Sequence, residues 1–227
     1  MKALLWKDLR ANRLLLLIGA VLLVMPFAVA GGYDLHRWLR IGELLPLPGV
    51  VCQELAFFSL VASLLTVVAL AGNAIASERV DRSAEFLAYL PPTRRQILAS
   101  KFSVAFGACA AVWLINLALI YVVAPWLPSV PWAFRAGKVS ELPIIAAIAV
   151  LLFGAAWLGS ALLDSSAFAT AIGLLAPMLL GAVLFCISWS REPAPFDAAW
   201  WFNRLAPVLG IACFALGTWY FLRRVEP

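Results

Sequence analysis

The chain has 227 residues, of which 64% are apolar and 13% charged, and its mean hydropathy is +0.96. A soluble domain holds roughly 45–50% apolar and about 25% charged residues, so this chain takes lipid as its solvent. A soluble enzyme, a disordered chain, a fibrous repeat and a nucleic-acid-binding domain are excluded. The net charge of +5 reads as Lys and Arg held on the cytoplasmic side of a membrane. A spanning helix takes about 20 residues, so six of them leave no room for a separate catalytic domain.

The first segment, 1–13, predicts a short amphipathic helix. Leu4, Leu5, Trp6 and Leu9 supply apolar surface, and Lys2, Lys7, Asp8 and Arg10 are polar. A basic helix that leads into a span lies in the membrane interface; an ordinary basic flank explains the same residues. The span that follows, 14–33, is too long for the apolar region of a signal peptide. By that length it reads as retained.

Stretches free of Asp, Glu, Lys and Arg place the other spans at 55–77, 102–127, 142–163, 165–189 and 205–222. The third charge-free stretch is longer than a bilayer needs and is broken by Pro125, Pro128 and Pro131. The fold class expected is an all-α integral membrane protein with six transmembrane helices. One side of the membrane collects eleven Lys and Arg and the other six, which puts both termini in the cytoplasm. Trp38, Trp126, Trp132, Trp189, Trp200 and Trp201 fall at the outer ends, as an interfacial belt does.

The loop 78–101, between spans two and three, is the most informative segment. Glu78 and Arg82 stand four apart, the favourable order for a helical ion pair. Ala84, Leu87 and Ala88 form an apolar stripe with Phe86 and Leu90 beside it, and Pro91-Pro92 must end the helix. Thr93-Arg94-Arg95-Gln96 matches a capping box that starts the next helix. A loop needed only for connection could be short and bland; this one suits pressing against another protein. Farther on, the turn Asp164-Ser165-Ser166 makes spans four and five a tight hairpin, with Ser165 or Ser166 as the cap. The outer loop 191–204, with Pro193, Pro195 and Trp200-Trp201, suggests a segment that dips back into the interface.

The chemistry left out of the spans is equally informative. None carries an acidic, basic or imidazole group at its middle, which a self-powered secondary transporter needs. Asn116, Ser59, Ser63 and Thr66 are the notable polar groups, and Asn116 reads as an interhelical hydrogen-bond group or a pathway ligand. Pro177 predicts a kink in span five. Ala155 and Gly159 form a small-xxx-small pair that could serve a dimer face. His36 is the single histidine, no metal cluster occurs, and the four cysteines show no CxxC spacing, with a Cys52–Cys186 bridge left open. Gly137-Lys138-Val139-Ser140 lacks the glycine and hydroxyl of a phosphate-binding loop. A membrane enzyme acting on lipid would need an interfacial Asp, His or Cys cluster, and the sequence holds none.

Glu78-Arg79, Asp81-Arg82-Ser83-Ala84-Glu85, Leu90-Pro91, Thr93-Arg94 and Lys101 together resemble the coupling-helix region of permease subunits of type-2 ATP-binding cassette (ABC) transporters. The family form is E-R-x-x-G-[ST]-x-E-x-L-x-x-L-P-[VL]-[ST]-R after span two. The opening MKALLWKDLRANR is similar to the family's amphipathic connecting helix. Ser83 and Pro92 depart from the pattern, where glycine and an aliphatic residue are usual. The resemblance implies a subunit of a prokaryotic plasma-membrane transporter, more commonly an exporter, with no cofactor of its own. ATP and Mg would sit on a separate cytoplasmic ATPase present in two copies. A second permease chain, identical or different, would complete the pathway, and no nucleic acid is involved. It further implies that Glu78, Arg79, Asp81, Arg82, Glu85, Phe86, Leu87 and Arg94 form the ATPase-coupling interface, with Asp164 as a smaller contact. A six-span scaffold without transport explains the uncharged spans equally, and the charged, proline-broken loop less well.

Overall fold

The computed structural model describes residues 2–41, 49–80, 93–123, 126, 132–190 and 197–224. These form seven α-helices: α1 (Lys2–Ala11), α2 (Arg13–Ile41), α3 (Gly49–Val80), α4 (Arg94–Ala118), α5 (Trp132–Leu162), α6 (Ser166–Ser190) and α7 (Ala198–Arg224). A π-helical segment, Leu119–Val123, continues α4, and no strand occurs among the described residues. Lipid offers no partner for a backbone N–H or C=O, so each segment must satisfy its own. Six helices are long and apolar enough to span a membrane: Arg13–Gly32, Cys52–Ala76, Arg94–Val123, Glu141–Leu162, Ser166–Trp189 and Ala198–Arg223. The chain is a multi-pass membrane protein of α-helices.

The spanning helices outrun the charge-free stretches of the sequence. Glu54 lies inside the span of α3, and Arg94, Arg95 and Lys101 lie inside that of α4. All four lie toward the ends of these stretches and none at a span's middle. Helix α7 starts at Ala198, so residues 198–204 are helical and continuous with the last apolar stretch. Asp197 caps that helix, its Oδ1 accepting from the Trp200 N–H at 3.1 Å. The guanidinium of Arg204, one turn on, stands 3.9 Å from the Trp200 ring centroid. Pro26, Pro143, Pro177 and Pro207 all sit within helices.

The chain divides into two compact units. One contains residues 1–12, 67–107 and 143–227, that is α1, the end of α3, the start of α4, most of α5, and all of α6 and α7. Its helices approach through glycines. A Cβ on Gly154 of α5 would strike the Gly210 carbonyl of α7, and one on Gly210 would strike the Val150 carbonyl. Gly217 extends that seam to Leu158 and Trp157, 3.0 Å away. Gly159 meets Ala169 of α6 at 3.0 Å, and Ala155 is buried. The Ala155–Gly159 pair therefore closes the α5–α6 hairpin within one chain, which corrects its reading as a dimer face. Phe102, Phe153, Trp157 and Phe214 join α4, α5 and α7 in one aromatic cluster, with centroids 5.3–6.4 Å apart.

The other unit contains residues 13–66 and 108–142. There Gly19 of α2 packs on the Thr66 side chain of α3, and Ser59 Oγ donates to the Leu23 carbonyl at 2.9 Å. Ser63 Oγ donates to Leu60 within its own helix. All four cysteines carry free thiols.

Candidate functional site: a buried polar knot at the base of the 81–92 segment

Helix α1 has two faces, and the sequence suggests the wrong one for Asp8. Leu4, Leu5, Asp8 and Asn12 turn toward the unit, while Trp6 and Leu9 are exposed. Asp8 is the buried residue of α1. Its Oδ2 accepts from Ser100 Oγ at 2.5 Å, and its Oδ1 lies 3.9 Å from Lys101 Nζ. Lys101 is 5% exposed and Asp8 6%. The Lys101 ammonium also donates to the Ala74 carbonyl of α3 at 2.6 Å. One residue earlier on α3, Asn73 Nδ2 donates to Asn12 Oδ1 at 2.9 Å, and Asn12 Nδ2 donates back to the Asp8 carbonyl. A hollow of about 10 Å³ between Asn12, Leu70, Ala74, Lys101, Val104 and Ala105 has room for one water.

A buried charge persists only where a counter-charge and hydrogen bonds replace its hydration. Here each charge has both: Lys101 and Ser100 for the carboxylate, Asp8 and Ala74 for the ammonium. Leu70 and Val104 line the same hollow as Lys101, apolar surroundings that suit its four methylenes. The knot fastens α1 to α3 near its last described turns and to α4 in its second turn. These are the two helices that lead into and out of residues 81–92.

The start of α4 is set by its own sequence. Thr93 N–H donates to Gln96 Oε1 at 3.0 Å, and Gln96 N–H reaches Thr93 Oγ1 at 3.4 Å. This is the reciprocal capping box expected from Thr93-Arg94-Arg95-Gln96. On the other flank, Ser160 Oγ of α5 accepts from the Ile75 and Ala76 N–H groups of α3 at 2.8 and 3.0 Å. A Cβ on Gly72 would meet Thr170 of α6 at 2.5 Å. The end of α3 is thus held by α1, α4, α5 and α6 together.

Of the residues expected to contact an ATPase, Asp81, Arg82, Glu85, Phe86 and Leu87 lie outside the described residues, as do Pro91 and Pro92. Glu78 and Arg79 belong to the last turn of α3, without described side chains. Arg94 is the first residue of α4. Asp164 is exposed in the turn before α6, where Ser165 holds the cap position and its carbonyl accepts from the Ala169 N–H. Ser160 and Thr170 tie that hairpin to α3, so Asp164 and the end of α3 occupy the same end of the unit. Pro177 lies within α6. Asn116, in the other unit, is fully buried. Its Nδ2 donates to the Val112 carbonyl at 2.9 Å, and its Oδ1 has no partner among the described residues. The π-helical segment begins three residues later.

Sequence reasoning missed Asp8, Ser100 and Lys101 as a group. Ninety-two residues separate Asp8 from Ser100, and no local pattern joins them. The available signal was the stripe Leu4–Asp8–Asn12, which puts a carboxylate and an amide in register with a leucine. Comparison with protein-family models, curated proteins and solved structures finds no match to this chain.

Proposed function

We propose that the chain is the membrane-spanning permease subunit of a type-2 ABC transporter, working as a dimer and driven by a separate cytoplasmic ATPase, in the direction of export. The observation that carries this reading is the knot of Asp8, Ser100, Lys101, Asn12 and Asn73, which ties α1 to both helices flanking residues 81–92. Force applied to that segment would reach α1, α3 and α4 together, because a buried ion pair resists separation more than a mobile surface contact does. In this reading the segment enters a groove on the ATPase. Glu78, Arg79, Asp81, Arg82 and Glu85 pair with its charges, Phe86 and Leu87 fill apolar space, Arg94 lies at the rim, and Asp164 makes a second contact. Two ATPases closing on ATP draw the segments of two permease chains together and tilt the spans. The chain contributes positioning and a path, while the nucleotide and its Mg stay on the partner.

The test is charge reversal in the reconstituted complex. Glu78→Lys with Glu85→Lys is expected to abolish the stimulation that the chain gives to ATP hydrolysis by its ATPase, with membrane insertion unchanged. Stimulation equal to that of the unaltered chain would refute the proposed interface.

A further inference from the structure

The buried ion pair has an effect on the outside of α1. Asp8 is the only acidic residue before Asp34, and it is turned inward onto Ser100 and Lys101. The outward face is left with positive charge alone. Lys2 and Arg10 are exposed, and between them Trp6 is 69% and Leu9 42% exposed. Positions 2, 6, 9 and 10 of α1 follow helical spacing, so cations and apolar groups share one stripe. Asn12, directly after α1, bonds Asn73, three residues before the apolar stretch of α3 ends at Ala76, so α1 is docked beside the end of that stretch.

We propose that this stripe is a binding surface for anionic lipid headgroups, seated against the membrane with Trp6 and Leu9 in the acyl boundary and Lys2 and Arg10 on the phosphates. The occupant follows from the charge and the depth. A stripe mixing tryptophan and leucine with cations and lacking carboxylates is complementary to an anionic interface, and Trp favours the headgroup level. Docking of α1 on Lys101 fixes which face meets the lipid, so the ion pair orients the lipid surface as well as holding the helix. This inference does not depend on a transport role.

The experiment uses the full chain in nanodiscs of neutral phosphatidylcholine containing a minor fraction of brominated lipid, either anionic phosphatidylglycerol or neutral phosphatidylcholine. Tryptophan quenching is measured in the unaltered chain and in Trp6→Phe, and their difference isolates Trp6 from the other tryptophans. The Trp6 signal is expected to be quenched at least about threefold more by the brominated anionic lipid than by the neutral one at equal mole fraction. Lys2→Gln/Arg10→Gln, which alters only exposed side chains, is expected to remove that preference while Trp6 remains quenched by the neutral lipid. Equal quenching by both lipids in the unaltered chain would overturn the proposal. So would a Trp6 that neither lipid quenches, since that would place the stripe away from the lipid.

Discussion

Replacing Lys101 by Met keeps much of the side chain's length and apolar stem but leaves Asp8 buried without its counter-charge. Breaking one partner of a buried pair typically costs about 3–5 kcal/mol. Asp8 would keep the 2.5 Å bond from Ser100, which argues for the lower end, about 3 kcal/mol. The carboxylate also has an escape, because α1 can leave the unit and return Asp8 to water. The cost should therefore appear as undocking of α1 and not as loss of the α5–α7 packing. Three kcal/mol at about 1.4 kcal/mol per decade raises the undocked fraction roughly 100-fold. Amide hydrogen exchange by mass spectrometry of the full chain in nanodiscs reads this directly. Peptides covering 2–11 should exchange up to about 100-fold faster in K101M, while those from α5 and α7 stay as they were. The double variant D8N/K101M removes both charges and should recover part of the loss, with a coupling of about 1–3 kcal/mol. Exchange in α1 changed by less than about threefold, or a double variant as costly as the two single ones added, would refute a knot held by its charges.

Three further outcomes follow from the packing. Gly154→Ala places a methyl against the Gly210 carbonyl, where the obstacle is backbone and cannot rotate away; a loss of about 1–3 kcal/mol is expected in thermal unfolding in detergent. Gly107→Ala has open space at its Cβ and should leave the melting temperature unchanged or slightly raised, since alanine is the better helix former. Thr93→Ala removes the side-chain half of the capping box, for about 0.5–2 kcal/mol. That loss should show as faster exchange in the first turn of α4 and nowhere else.

The six spans were legible because charges are costly in lipid and absent from long stretches of the sequence. Their ends were less legible, for identifiable reasons. Lys101 was taken to lie at the edge of its span, because an ion pair with a residue 93 positions earlier leaves no local trace. Pro143 and Pro207 fall inside the expected spans and lie inside α5 and α7; neighbouring helices and local adjustment accommodate a missing N–H in a membrane. Asp197 before Ala198 is a visible cap signal, and weighing it above the paired tryptophans would have placed the start of α7 correctly. Thr93-x-x-Gln96 was legible because a capping box is complete within four residues. The Ala155–Gly159 pair was legible as a close-packing surface, but its partner, Ala169 of the same chain, was not, since small-residue spacing says nothing of which helix approaches. Asn116 was read as an interhelical hydrogen-bond group or pathway ligand; it is buried, and its described hydrogen bond runs to the Val112 carbonyl of its own helix.

The measurement that bears most directly on the proposed role is ATP turnover in a defined bilayer. The chain would be reconstituted with an ABC ATPase carrying a GxxxxGK[ST] loop, and hydrolysis compared with and without the chain. A permease subunit predicts severalfold faster turnover when the chain is present, lost in Glu78→Lys/Glu85→Lys and reduced in K101M through undocking of α1. Turnover that is the same with and without the chain would contradict a transporter role and favour a six-span scaffold.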